Sequence, residues 1–86
     1  MREIVKVSPE YADAHYELGK ALLQRGNIDD AVQSLEVAAK LKPDESYVHY
    51  QLGRAYLQAG RKAEGERHIE ISKQLKEKAR GQTNQR

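Results

Sequence analysis

The chain reads as an all-α array of stacked, antiparallel helix–turn–helix hairpins, and three observations carry that reading. First, His15 to Gly26 returns as His49 to Gly60 at an offset of 34 residues, with eight of the twelve pairs identical. A repeat of roughly 20–50 residues means units that cannot bury their apolar faces alone and stack to do so. Second, apolar residues recur at steps of three and four, the period of one helical face. Third, Gly26 and Gly60 interrupt that period at the same place in each unit, where a left-handed residue stops a helix.

The elements follow in order. Residues 1–8 align with Leu35 to Lys42, so Ile4, Val5 and Val7 read as the remnant of a preceding second helix. The chain then begins in mid-unit, as the C-terminal end of a longer array. Unit one spans 12–45, with helices at about 12–25 and 28–41. Ala14, Leu18, Ala21 and Leu22 form the apolar face of its first helix. Ile28, Ala31, Val32, Leu35, Ala38, Ala39 and Leu41 form that of the second. Pro43 ends it, because proline disfavours helical geometry in the residue before it. Unit two spans 46–79, with helices at about 46–59 and 62–79. Asp44 or Ser46 is placed to cap the first of these through a side-chain oxygen. Val48, Leu52, Ala55 and Tyr56 give its apolar face. In the last helix that face thins to Ala63, Ile69, Ser72 and Leu75, with Gly65 and Glu66 standing where unit one has Ala31 and Val32. A polar outer face is what the end of a stacked array needs, so this helix reads as a C-terminal cap. Residues 80–86 carry no apolar side chain and read as a disordered tail.

Composition narrows the function classes. Lys and Arg total 15 against 13 Asp and Glu, a net charge of +2 that calls for neither a nucleic-acid nor a membrane partner. Cysteine is absent, so there is no disulfide or thiolate-metal framework, in keeping with a reducing compartment such as the cytoplasm. No run of 18 apolar residues and no signal-peptide pattern is present in this segment. There is no nucleophile elbow, P-loop or Gly-rich phosphate fingerprint, and the sequence reads as neither an enzyme nor a cofactor binder. His15 and His49 read as packing histidines rather than metal ligands, and His68, among Glu64, Glu66 and Arg67, as a residue of a solvated face. Asp29 and Asp30 complement the dipole of the helix they open. The basic run Lys73, Lys76, Lys78, Arg80 and Arg86 reads as a soluble helix end.

Glycine in mid-helix costs about 1 kcal/mol relative to alanine. Its recurrence at Gly19 and Gly53 therefore predicts a close helix crossing in each hairpin, with Ala31 as the small residue facing Gly19.

These residues also resemble a known family. The pattern W-x2-L-G-x2-Y…A-x3-F…P on a 34-residue helix–turn–helix unit marks the tetratricopeptide repeat. It falls on His15, Leu18-Gly19, Leu22, Ala31, Leu35 and Pro43, then on His49, Leu52-Gly53, Tyr56, Gly65, Ile69 and Glu77. Histidine replaces tryptophan in both units, Gly65 replaces alanine, and the second closing proline is missing. The resemblance implies a right-handed α-solenoid, with Leu18, Gly19, Ala31, Leu35, Pro43, Leu52, Gly53 and Ile69 as packing positions. It implies a protein-interaction scaffold whose first helices line a concave, peptide-binding face. That face would run Asp13, Tyr16, Lys20, Leu23 and Gln24, then Tyr47, Tyr50, Arg54, Leu57 and Gln58.

Spacing supports the stripe separately, since Tyr16, Lys20 and Gln24 are four apart, as are Tyr50, Arg54 and Gln58. Lys20 and Arg54 favour an acidic partner segment. The plainer reading makes the tyrosines cover for the helices and the cations solvated charges. Two further roles fit the same residues: a structural end of a longer array, or repeats that position the substrate of a separate catalytic domain. Two full units are fewer than the three or so that such arrays need. The first helix is therefore expected to expose Tyr11, His15, Leu18 and Leu22, partly covered by Ile4, Val5 and Val7, leaving the chain marginally stable as a monomer or self-associating end to end at high concentration.

Overall fold

The computed structural model describes residues 9–84, and the side chains of 11–79 within them. Four helices run in order: α1 (Pro9–Arg25), α2 (Ile28–Leu41), α3 (Ser46–Gln58) and α4 (Lys62–Asn84). Each packs on the next; α1 barely touches α3, and α2 does not meet α4. The helices thus form two hairpins in two layers, α1 and α3 in one, α2 and α4 in the other. The proposed remnant at 1–8 lies outside the described residues.

The hairpin turns form as the glycines predict. Gly26 and Gly60 have φ of 88° and 85°, a region only glycine enters freely. In the first turn the Asn27 N–H donates to the Leu22 carbonyl at 2.9 Å and the Gly26 N–H to that of Leu23 at 3.1 Å. In the second, Arg61 and Gly60 donate to Tyr56 and Leu57 at 2.8 and 3.1 Å. This paired bonding satisfies the carbonyls that a helix end leaves open.

Two boundaries and one cap differ from the sequence expectation. Helix α1 starts at Pro9 rather than near 12, because proline is well suited to a first helical position, where its missing N–H is not needed. Helix α4 runs to Asn84, through most of the expected tail, since nothing beyond Ala79 stops it. Gly81 weakens a helix by only about 1 kcal/mol. The start of α3 is not capped by Asp44 or Ser46. Glu45 occupies the cap without a side-chain bond, and its carbonyl accepts from the Val48 and His49 N–H groups at 3.2 and 3.4 Å.

The core gathers Leu23, Ala31, Val32, Leu35, Leu52, Ala55 and Tyr56, with Tyr16, Leu22, Ile28 and Ala39 packed against it. The crossings predicted at Gly19 and Gly53 are present. A Cβ on Gly19 would lie 2.5 Å from Leu35 Cγ and 3.3 Å from the Ala31 carbonyl. A Cβ on Gly53 would lie 2.6 Å from Ile69 Cγ1 and 2.8 Å from the Gly65 carbonyl, and one on Gly65 would lie 2.8 Å from the Gly53 carbonyl. Gly65 is therefore a packing residue that brings α3 and α4 together at backbone level, not a decayed alanine.

Three apolar positions on the first helix leave the core. Leu18 is 50% exposed while its counterpart Leu52 is 1% exposed. The difference is the neighbour: α2 covers α3, and no described element covers the matching face of α1. Ala14 and Ala21 are exposed for the same reason, and Ala63 on α4 is exposed as well.

Candidate functional site

The repeated polar stripe converges on the groove between α1 and α3. Lys20, Leu23, Gln24, Gln51, Arg54 and Gln58 line one cavity of about 390 Å³. The four-residue spacing puts Lys20 and Gln24 on one bank and Arg54 and Gln58 on the other. Each cation lies near the tyrosine one turn before it: Lys20 Nζ is 5.3 Å from the Tyr16 ring centre, and the Arg54 guanidinium is 5.9 Å from that of Tyr50. Such contacts hold long side chains in place without neutralising them.

Other members of the stripe separate. Leu23 is only 8% exposed and belongs to the core; it floors the groove instead of projecting from it. Its repeat partner Leu57 is partly exposed, but its Cγ and Cδ2 lie 2.7 Å from where a Gly65 Cβ would be, and it does not line the cavity. Asp13 is exposed and pairs with Lys42 at 3.8 Å. Tyr16 and Tyr47 meet edge to face, with ring centres 4.8 Å apart, and bridge the two banks beyond the cavity. Burial, then the nearby Glu45 carboxylate, raises the Tyr47 phenol above its ordinary range. Tyr50 stays exposed.

The stripe did not include Gln51. Its side-chain oxygen is shut off from solvent and has no hydrogen-bond partner in the protein. The signal was in the sequence: Gln51 replaces Glu17 inside the otherwise repeated block. In unit one Glu17 pairs with Lys20 at 3.8 Å, whereas the matching Gln51 cannot pair with Arg54.

The opposite layer holds a second cleft of about 720 Å³ between α2 and α4, lined among others by Glu36, Val37, Leu52, Tyr56, His49 and His68. Here the sequence reading of His68 fails. His68 does not face solvent; it is half-buried, its ring stacked on His49 at 5.2 Å and tilted against Tyr56 at 5.4 Å. The i, i+4 view of α4 alone placed it among charges, but the facing residues of α3 claim it. His49 is buried, as a packing residue should be. Its Nε2–H donates to the Pro43 carbonyl at 2.8 Å, so its Nδ1 accepts from His68 Nδ1–H at 3.0 Å. Burial first, then the neighbouring His49 and Arg67, lowers the His68 pKa below its ordinary 6.5, with Glu36 and Glu64 opposing. The Tyr56 hydroxyl donates to Glu36 across α2 and α3. Burial and that carboxylate push the phenol up to about 12. At the rim the Arg61 guanidinium grips Glu64 at 2.9 and 3.0 Å.

Among the described residues no group of three or more His, Cys, Asp or Glu side chains could hold a metal, and no helix is long and apolar enough to cross a membrane. No curated protein matches the chain. A family model does: the TPR repeat model matches residues 19–60, from the first close-crossing glycine to the glycine that ends α3. With its 34-residue period, its glycine-stopped hairpins and the Gly19–Leu35 and Gly53–Ile69 crossings, the chain carries a repeat of the tetratricopeptide family over residues 19–60.

Proposed function

We propose that the chain is a non-catalytic protein-interaction module that holds an extended, acidic segment of a partner protein in the groove between α1 and α3, on the concave face of the repeat. Members of this family generally mediate protein–protein interaction. The observation that carries the reading is the convergence of Lys20, Gln24, Arg54 and Gln58 on one cavity. Core packing asks for none of these side chains, yet each recurs with its chemistry kept. Tyrosine and arginine are frequent anchors of binding surfaces. Tyr16, Tyr47 and Tyr50 supply rigid apolar bodies beside the cations. The double substitution Tyr50→Ala/Arg54→Ala tests it: partner capture is lost while helicity is retained. An unchanged partner list in a folded double variant refutes the reading.

The exposed face of α1 supports a second role, in assembly. Tyr11 and Leu18 are 51% and 50% exposed, on the face whose counterpart in α3 is buried against α2. That face takes either a further repeat or a second copy of the chain. The corresponding end of α4 has Glu66 and Lys73 where α2 has Val32 and Ala39, which favours a wet terminal surface there.

A further inference from the structure

The two banks of the groove are alike in shape but not in charge. On α1, Glu17 sits three residues before Lys20 and pairs with it at 3.8 Å. On α3 the same position is Gln51, and Arg54 makes no ion pair with any described residue, lying instead near the Tyr50 ring. A neutral amide therefore replaces the carboxylate that would have compensated the guanidinium. That amide is itself unsettled, because its oxygen is cut off from water and bonded to nothing. An unpaired buried acceptor is unfavourable, and the terminal torsion of glutamine is broad, so the oxygen can turn to an N–H in the cavity.

We infer that Gln51 sets the selectivity of the groove: it leaves Arg54 free to bind a side-chain carboxylate of the partner segment, and its amide takes the main-chain N–H beside that carboxylate. This rests on the reading of the groove as a peptide site. Arg54 fits the role, since a guanidinium presents a donor fork that matches a carboxylate. Lys20, already shared with Glu17, contributes less. The predicted ligand is an extended segment with one Asp or Glu flanked by small residues, and the acidic group lies on the α3 bank.

The sequence supplies its own control. Gln51→Glu installs the residue that unit one carries at this place, keeps the length of the side chain, and gives Arg54 an internal partner. Glu17→Gln does the reverse for Lys20. The probe is a positional-scanning set of heptapeptides, acetylated and amidated so that only side chains carry charge, titrated against the labelled protein by NMR. One position should prefer Glu or Asp over Gln or Asn by about tenfold, the size of a charge-assisted hydrogen bond. Gln51→Glu should abolish that preference, and Glu17→Gln should strengthen acidic binding about twofold. Arg54→Gln, at an exposed side chain, is the second variant and should also abolish it. Groove binding with no acidic preference, or a preference that survives Gln51→Glu and Arg54→Gln, overturns the inference and leaves the peptide site standing. No shift of groove resonances with any peptide overturns both.

Discussion

His49 and His68 face one another through their Nδ1 atoms, 3.0 Å apart, and a single hydrogen bond there joins α3 to α4. The Pro43 carbonyl fixes the direction of that bond, because it accepts the Nε2–H of His49. The bond therefore needs the His49 Nδ1 as its acceptor and the His68 Nδ1–H as its donor.

Stability should fall as the solution is acidified through the histidine range. The pKa of His68 is lower in the folded protein than its ordinary 6.5. As pH falls through that value the unfolded chain takes up the proton first, so folding weakens with falling pH. Thermal melts between about pH 7.5 and 5.5 should show this drop, and His68→Gln should flatten it. A slope that the variant leaves intact would assign it to other groups.

The Tyr56 hydroxyl bonded to Glu36 makes the complementary case at high pH. The folded phenol holds its proton up to about 12, against an ordinary 10.0. Between those values the unfolded chain loses its proton first, and stability falls as pH rises. Tyrosinate absorbance should show a last-titrating component that is lost in Tyr56→Phe. That variant should also lose about 1 kcal/mol of stability by leaving Glu36 without its donor. A melt unchanged from the parent would mean that water replaces the hydroxyl at no cost.

Alanine should be worse tolerated at Gly53 than at Gly19. The new Cβ at Gly53 meets the Gly65 carbonyl at 2.8 Å, whereas at Gly19 the closest atoms, at 2.5 and 2.8 Å, belong to the Leu35 side chain. A side chain can change rotamer; a carbonyl moves only with its helix. Overpacking of this kind costs about 1–3 kcal/mol. Denaturant titration of Gly19→Ala and Gly53→Ala should place Gly53→Ala toward the upper end, and the opposite order would contradict the crossing geometry.

Leu18→Lys should leave the melting temperature within a few degrees of the parent, since the side chain is half-exposed and surface substitutions are usually worth less than about 0.5 kcal/mol. If α1 is an assembly face, sedimentation at high concentration should show association in the parent and less in the variant. A strict monomer in both would leave that face to a further repeat.

The sequence disclosed most about positions that answer to their own helix. Gly26 and Gly60 stop their helices through their own positive φ, and the spacing of Lys20 to Gln24 is a property of α1 alone. It disclosed less where the deciding neighbour lies elsewhere. Leu23 looks outward by analogy with the stripe, but the core formed with α2 and α3 claims it. His68 looks solvated among charges on α4, until α3 brings His49 and Tyr56 against it. Gln51 hid in plain view, because the eye reads a repeated block for what is kept, and here the useful residue is the one exchanged.

The crossing of Gly53 and Gly65 has a consequence for anyone who would build with this unit. Where two glycines meet, the spacing of the helices is written in the peptide chain and owes little to the side chains around it. Unit one sets its spacing through the Leu35 rotamer, an adjustable shim; unit two is a fixed gauge. Redesign of the surrounding residues should carry the α3–α4 angle from one protein to another more faithfully than the α1–α2 angle, which makes the second hairpin the better part to transplant.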